Sequence, residues 1–355
     1  MKRMSDVAPA RPDVTRRSAM QQMGAAALAT TLPALPNTGW AATAPVGQSM
    51  RSLASDWLAL LSAAQRDTAT FGFESRTRRR WNYMLGSAFA NGLALERMSA
   101  PQKDAAMALL ATALSPEGLA TAENIMLQQD ILRDEWRKGS PDRNRERFSL
   151  QIYGEPSPTD PWAWRWEGHH LTITITLVGD EVVSQTPKAF SSEPNTVPSG
   201  PHRGLVVLPE NETLGRALFA DMSSSTKRTA LLRERSFGNI LTKPGREDSI
   251  GAPAGVPLAD LPPAQAEIVR QLIALYTSDH LTGPLAEGQR ARIAAEDEGA
   301  IRFGWAGENR EGQSVYYRIH GETFLIEFAT LRGQPEHHHT IVHDLERNFG
   351  DHRVG

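Results

Sequence analysis

Histidine is the residue type whose placement suggests chemistry most clearly in this chain. All 10 histidines lie at or after position 169, and two groups stand out: His169-His170 in mid-chain and His337-His338-His339 near the end. Side chains two residues apart on a strand share a face and lie about 6.7 Å apart along the chain. His337 and His339 can therefore converge on one ion, with nitrogens about 2.0–2.1 Å from a metal such as zinc.

The mid-chain group supplies the rest of the predicted metal site. Glu167 and His169 repeat the two-residue spacing, and three protein ligands plus a water give the open coordination of a catalytic site. In a regular strand His169 shares the face of Leu171, and His170 shares the face of Thr172. We favour His169 as the third ligand, whereas a bulge in the turn before it would select His170. The alternative interpretation is that these histidines are ordinary hydrogen-bonded or solvated residues.

Carboxylates and arginines near these groups are the candidates for catalysis and for substrate binding. Glu167 or Glu327 is predicted to be a fourth ligand or the base that activates bound water, because burial raises the pKa of a carboxyl group. Arg318 or Arg165 would hold an anionic group of the substrate. A salt bridge with Arg318 at the sheet edge is the alternative for Glu327. Asp344, which follows the C-terminal histidines, is a further substrate-binding candidate.

Three tryptophans at alternate positions, Trp162, Trp164 and Trp166, would lie on one face of an extended segment. Such a stripe can stack on a sugar ring, and we take Trp164 and Tyr317 as the aromatic candidates for substrate contact. Packing of the stripe between helices and a sheet is the interpretation that we favour.

Helical periodicity dominates the first part of the chain. Apolar residues recur at helical spacing through residues 51–137, including the segment Trp81–Phe89. Ser99-Ala100-Pro101 and Ser115-Pro116-Glu117 are typical helix starts, with a capping residue followed by an early proline. Further helices are predicted at residues 212–222, 225–234 and 263–276.

Strand patterns dominate the remainder. Leu171–Leu177 alternates strictly between apolar residues and threonine, and Gly179-Asp180 and His320-Gly321-Glu322 are typical of tight hairpins. The segment 235–260 is predicted to be a loop that covers a site, because long loops are uncommon in compact domains.

Together these patterns predict an α+β fold. A helical N-terminal layer, residues 45–138, packs on a largely antiparallel sheet that residues 139–355 build from the middle and C-terminal segments. We expect the two regions to form one compact unit.

Residues 1–44 are predicted to be an export signal rather than part of the fold. Thr15–Met20 resembles a twin-arginine motif, Met23–Leu35 is a short apolar stretch, and Ala42-Thr43-Ala44 offers a cleavage site, with Gly39-Trp40-Ala41 as the alternative. We therefore expect the twin-arginine translocase as a partner during export, and a periplasmic or secreted protein. Loss of the five basic and two acidic residues of this leader changes the net charge from −3 to −6.

Composition excludes several other classes of protein. The absence of cysteine excludes disulfides, thiolate metal sites and thiol nucleophiles. A net charge of −3 and a pI near 6.4 argue against nonspecific nucleic-acid binding. The sequence contains no apolar run long enough for a membrane span and no G-x-S-x-G, P-loop or dinucleotide motif.

Several of these segments together resemble the family called domain of unknown function 3500, and the resemblance extends over nearly all of residues 51–352. The segments that carry it are Phe148–Ser157, Trp162–Leu171, Trp305-Ala306-Gly307, Tyr316–Ile319, Leu325-Ile326-Glu327, His337-x-His339 with Asp344, and Phe349-Gly350. The resemblance implies an exported protein and no particular reaction.

The sequence thus predicts an exported metal-dependent hydrolase that acts on a small-molecule or carbohydrate substrate, using a divalent ion that could be zinc, copper, manganese or iron. A copper or iron redox protein that uses the same histidines is one alternative. A non-catalytic periplasmic protein that binds a carbohydrate or other ligand is the other.

Overall fold

The computed structural model describes residues 43–84, 91–136 and 142–354, whose strands join in one large sheet. The strands are β1 Thr70–Phe71, β2 Leu93–Ala94, β3 Ser149–Tyr153, β4 Pro161–Gly168, β5 Leu171–Val178, β6 Glu181–Ser184, β7 Lys188–Phe190, β8 Leu231–Arg233, β9 Val256–Pro257, β10 Arg302–Ala306, β11 Tyr316–His320, β12 Phe324–Leu331 and β13 Gln334–Asp344. The helices are α1 Ala44–Ala59, α2 Ala63–Ala69, α3 Ala100–Ala113, α4 Pro116–Ile131, α5 Asn211–Asp221, α6 Ser224–Ala230, α7 Pro263–Thr277, α8 Gly283–Ala294 and α9 Asp351–Val354.

The order of the strands confirms the predicted α+β class. Hydrogen bonds connect them as β1-β3-β4-β5-β7-β13-β12-β11-β10-β8, with β2 on β3, β6 on β5 and β9 on β10. The described pairs are antiparallel except β1 with β3 and β8 with β10. Middle and C-terminal strands therefore meet at the β7–β13 pair, where Lys188 lies opposite Val342.

Helices α3 and α4 begin at the capping serines that the sequence predicted. At the start of α4 the Ser115 side chain accepts a hydrogen bond from the backbone N of Gly118 at 3.0 Å, and Pro116 follows it. At the start of α3 the backbone N of Ser99 donates to Gln102 Oε1 at 2.8 Å.

One face of the sheet is apolar and carries the helices. Trp164 lies opposite Ile175 and Trp166 opposite Ile173 on the paired strands β4 and β5. These side chains pack in one buried cluster with residues of α1, α3 and α4, including Trp57. A second apolar cluster lies under α5 and α7. The tryptophan stripe is thus core packing between helices and sheet.

The other face of the sheet is polar and nevertheless buried; we call it the polar face. Its members come from alternate positions on adjacent strands: Gln151, Arg165, Glu167, Thr172, Arg318, Glu327, His339 and His343. Two largely irregular stretches, residues 72–84 and 234–251, lie over it; we call them the covering segments. Backbone N of Asn82 donates to Glu167 Oε2 at 2.7 Å, and backbone N of Leu241 donates to Glu327 Oε2 at 2.8 Å.

Some predicted elements differ from the structure. The helical pattern at Trp81–Phe89 is wrong for residues 81–84, which are irregular, while residues 85–90 lie outside the described part of the chain. The predicted helix 225–234 ends earlier, as α6, and its last residues form β8. Helix α8 was not predicted, because its many alanines, glycines and arginines form no clear apolar stripe.

The predicted leader falls almost wholly outside the described residues; Thr43 and Ala44 belong to the fold, at the start of α1. The described residues belong to one compact unit. Within its described part, no helix combines the length and apolar character that crossing a bilayer requires.

Lys188 is a buried cationic residue on the apolar face. Its Nζ donates to the carbonyl O of Thr277 at 3.2 Å. Burial lowers the pKa of Lys188 from 10.5 to about 7, opposed by the negative charge of Asp279. Between about pH 7 and pH 10.5 the unfolded chain binds a proton that the folded chain does not, so stability rises with pH across this window.

Replacement of Lys188 by methionine keeps the length of the side chain and removes the amine. We expect Lys188→Met to raise the free energy of unfolding by roughly 2–4 kcal/mol at pH 6, where the buried amine is protonated, and by much less at pH 10. Urea unfolding at both pH values measures the difference. Lys103→Met, at a partly exposed lysine, is the matched control, and an effect of Lys188→Met that does not change with pH would contradict the expectation.

Candidate metal centre

Three imidazoles converge at one end of the polar face. Strand β13 carries His337 and His339, and the two-residue turn between β4 and β5 carries His170. The Nε2 atoms lie 2.9 Å apart between His170 and His337, 3.0 Å between His337 and His339, and 3.3 Å between His170 and His339. The residues are only 1%, 7% and 4% exposed, in chain order. We call this group the histidine trio.

Contacts on the outer ring nitrogens determine where the protons lie. Nδ1 of His339 is 2.8 Å from Asn239 Oδ1, and Nδ1 of His337 is 3.2 Å from Gln334 Oε1 and 3.5 Å from Glu193 Oε1. Oxygen acceptors at these positions keep the proton of a neutral imidazole on Nδ1. The Nε2 lone pairs of both rings consequently point toward the centre of the trio.

Converging lone pairs repel each other unless a proton or a metal cation lies between them. Burial, followed by the charge of neighbouring histidines, lowers the pKa of His170 and His339 well below the ordinary range, so both rings are neutral near pH 7. In a tetrahedral site with bonds of about 2.0–2.1 Å, ligand nitrogens are about 3.3–3.4 Å apart. The trio approaches that spacing, so these buried histidines could hold a metal ion.

His170 reaches the trio through an unusual backbone conformation. Its φ is +74°, a left-handed value that costs a non-glycine residue roughly 1–2 kcal/mol. The conformation is held by hydrogen bonds from His170 N to Tyr83 O and from Ser191 N to His170 O, both 2.8 Å. The prediction assumed a regular strand and therefore favoured His169 as the ligand. The turn instead brings His170 to the trio, because the chain reverses at this residue.

His169 lies beside the trio with a carboxylate and a guanidinium. Its ring stacks on that of His170 with centroids 3.7 Å apart, and its Nδ1 is 2.8 Å from Gln129 Oε1. Potential ligand atoms of His169, His170 and Glu193 lie within 4.8 Å of one another. Arg143 contacts both His169 Nδ1, at 3.4 Å, and Glu193 Oε2, at 3.2 Å. A buried charged pair therefore borders the trio.

The two carboxylates chosen from the sequence hold the covering segments. Glu327 accepts hydrogen bonds from backbone N of Leu241 at 2.8 Å, from backbone N of Thr242 at 2.9 Å, and from the Thr242 hydroxyl. Glu167 accepts from Asn82, and burial raises the pKa of Glu167 to about 7 against an opposing guanidinium. Among the described residues, neither Glu167 nor Glu327 belongs to a group of three potential metal ligands whose atoms lie within 4.8 Å of one another.

The remaining charged candidates also lie apart from the trio's contacts. Arg165 is buried and donates to the backbone O of Arg78 in a covering segment. Arg318 is buried next to the hydroxyl of Tyr316. Asp344 pairs with Arg292 at 3.0 Å.

The aromatic candidates lie on the apolar face, where they have no surface for a ligand. Trp164 is fully buried in the cluster beneath the N-terminal helices. Tyr317 is also fully buried, and its hydroxyl donates to the Asn211 carbonyl O at 2.7 Å and lies 2.6 Å from the Tyr276 hydroxyl.

Several residues around the trio were not predicted from the sequence. Glu193 and Asn239 come from irregular segments with no periodic pattern, and Arg143 lies in a polar, charged stretch that also lacks one. Gln334 carried a weak signal, because it lies three residues before His337 on the same strand.

Substitutions at position 170 test its left-handed conformation independently of any metal. In chelator-treated protein we expect His170→Gly to be more stable than His170→Ala by about 1 kcal/mol, because only alanine is strained at φ +74°. The neighbouring pair His169→Gly and His169→Ala is the control and should show the opposite order. Denaturant unfolding measures all four variants, and equal stability of the two position-170 variants would contradict the assigned backbone.

Comparisons with known proteins identify a family without indicating a reaction. Residues 43–351 match the family described as protein of unknown function (DUF3500). No curated protein and no solved structure matches the chain. Since the match covers most of the sequence, including every histidine of the trio, the chain belongs to the DUF3500 family.

Proposed function

We propose that the histidine trio binds one divalent metal ion and that the protein is a metal-dependent hydrolase. The observation that carries this proposal is the convergence of three buried Nε2 atoms within 2.9–3.3 Å of one another. Hydrogen bonds cannot satisfy such a group when two of its protons are held on the opposite ring nitrogens, whereas one cation satisfies all three lone pairs.

Hydrolysis is the chemistry that such a ligand set suits best. Three protein ligands leave a coordination position for water, and a bound ion can lower the pKa of that water to about 7. Glu193 is the buried carboxylate beside the trio, and we assign it the role of accepting the water proton or orienting His337. Arg143 would stabilise negative charge on the substrate. Glu193 thus takes the role that the sequence suggested for Glu167 or Glu327.

A redox protein is the second candidate function. The trio contains only imidazole nitrogens, and an all-nitrogen set also suits copper or iron. Zinc or manganese in the purified protein would support the hydrolase, and copper or iron would support the redox protein.

No contact favours the carbohydrate-binding alternative. It depended on Trp162, Trp164 and Trp166 as a stacking surface, and all three indoles are fully buried. The substrate that we propose is a small molecule of unspecified class.

We further propose export by the twin-arginine translocase to the periplasm, with cleavage after Ala41. Thr43 is fully buried, and its hydroxyl accepts a hydrogen bond from Val182 N at 3.2 Å. Cleavage after Ala44 would remove this contact from the folded protein, whereas cleavage after Ala41 keeps it.

Metal content tests the ligand assignment. Protein purified without an affinity tag should contain about one equivalent of metal, and the double variant His337→Ala/His339→Ala should contain almost none, because it keeps one ligand of three. Elemental analysis by mass spectrometry measures both. His338→Gln is the matched control, since His338 lies between the two ligands on the opposite face, with its Nε2 3.1 Å from Glu212. Stoichiometric metal in the double variant would refute the assignment.

The carboxylate of Glu193 is tested separately from metal binding. We expect Glu193→Gln to retain the metal within about tenfold of native affinity and to lower kcat/KM by about 10–100-fold, because the amide cannot accept a proton. Hydrolysis of a panel of chromogenic carboxylic and phosphoric esters by metal-loaded protein measures the effect. Glu327→Gln, which alters a carboxylate outside the trio, is the comparison. Loss of the ion from Glu193→Gln would instead make Glu193 a ligand.

A further inference from the structure

A second group of cationic side chains lies at the other end of the polar face. Strands β10 and β11 place Arg302 opposite His320, and Arg318 shares their face two residues before His320. On β12 the partner of His320 is Leu325, whereas the partner of His339 is Ala329. Leu325 and Ala329 are four residues apart on β12, which corresponds to about 13 Å along the strand. The group around His320 is therefore distinct from the histidine trio.

Two of these side chains are buried with a polar atom that lacks a partner, whereas Arg302 is half-buried and donates to the carbonyl O of Gly255 at 3.3 Å. His320 is 2% and Arg318 is 6% exposed, and neither His320 Nδ1 nor Arg318 Nε has a hydrogen-bond partner. Within the described ranges no carboxylate oxygen lies within the 4 Å of an ion pair from Arg302 or Arg318. Buried donors of this kind are costly unless a group of opposite charge accepts from them.

The carboxylate across the strands from Arg318 is occupied elsewhere. Glu327 is the cross-strand partner of Arg318, but both of its oxygens accept hydrogen bonds from the covering segment at Leu241 and Thr242. Tyr316 also donates its hydroxyl to Glu327, at 2.7 Å, and so lies between the carboxylate and the guanidinium. Arg318 and Glu327 therefore form no direct ion pair.

A cavity opens beside this group. It has a volume of about 500 Å³ and is lined by Arg302 and His320, with Pro253 and Leu345 as apolar walls and the exposed Glu322. Small-molecule sites commonly measure about 300–1,000 Å³ and combine apolar walls with a few polar groups, as this cavity does.

We propose that this cavity binds the phosphate or sulfate group of a small molecule, with Arg302 and His320 as direct donors and Arg318 behind them. Two guanidinium charges match a dianion, and such groups accept bidentate hydrogen bonds from arginine. Burial, together with the charge of Arg318, lowers the pKa of His320 to about 4, so its ring is a neutral donor near pH 7. The site requires no metal and does not rest on the proposed hydrolase activity.

Calorimetric titration of the chelator-treated full-length protein tests the proposal. The probes are inorganic phosphate, sulfate and glycerol phosphate, each at an ionic strength held constant with chloride. We expect saturable binding of one equivalent, and at least tenfold weaker binding by Arg302→Gln. Tightest binding of glycerol phosphate would support an organic phosphate, and tightest binding of sulfate would support a sulfate group.

Thermal unfolding separates a ligand site from a structural role for Arg302. Without anion, Arg302→Gln should unfold at the same temperature as native protein or higher, because positive charge that forms no ion pair has been removed. With phosphate, native protein and the control should gain stability, whereas Arg302→Gln should not. Arg332→Gln, at an exposed arginine near the opposite end of the sheet, is the control, and His320→Asn is the second variant. Absence of saturable binding for all three anions, or native affinity in both variants, would overturn the proposal.

Discussion

Exclusion of water from the polar face is the constraint on which the rest of the structure depends. Each donor and acceptor on that face needs a partner, because an unpaired polar group loses its hydrogen bonds to water without replacement. The covering segments supply most partners through their backbone. Glu327 accepts from two successive backbone N–H groups, and Arg165 donates to the backbone of the first segment. Irregular chain is suited to this task, since its N–H and C=O groups are not used by a helix or strand ladder.

The two ends of this face fail to balance their hydrogen bonds in opposite ways. At the histidine trio, the Nε2 lone pairs of His337 and His339 converge, and the ring of His170 can supply at most one proton to them. Around Arg318 and His320, donors accumulate, and among the described residues no carboxylate forms an ion pair with Arg318. A cation corrects the first imbalance and an anion corrects the second. The same requirement for satisfied polar groups thus leads to both proposed sites, although each stands on its own contacts.

Much of this could be predicted from the sequence where local periodicity determines the outcome. Alternation along β13 is sufficient to bring His337 and His339 to one face, and serine followed by proline is sufficient to begin α4. The third member of the trio depends on the turn at His170, where a left-handed residue reverses the chain. Strand periodicity cannot indicate such a reversal. Glu193 and Asn239 lie in irregular segments, and their positions depend on tertiary contacts that leave no periodic signal.

Metal binding at the trio, as we propose it, would be physically coupled to the folding of the polar face. The trio combines residues far apart in the chain, His170 from one hairpin and His337 and His339 from another, and Asn239 of the second covering segment holds the ring of His339. The next residues of that segment, Leu241 and Thr242, donate to Glu327 in the sheet. An ion that binds the folded trio more tightly than the unfolded chain therefore stabilises the hairpins and this segment together. The strained conformation of His170 is consistent with this coupling, because backbone hydrogen bonds hold it and a bound ion would add a further interaction that offsets its cost.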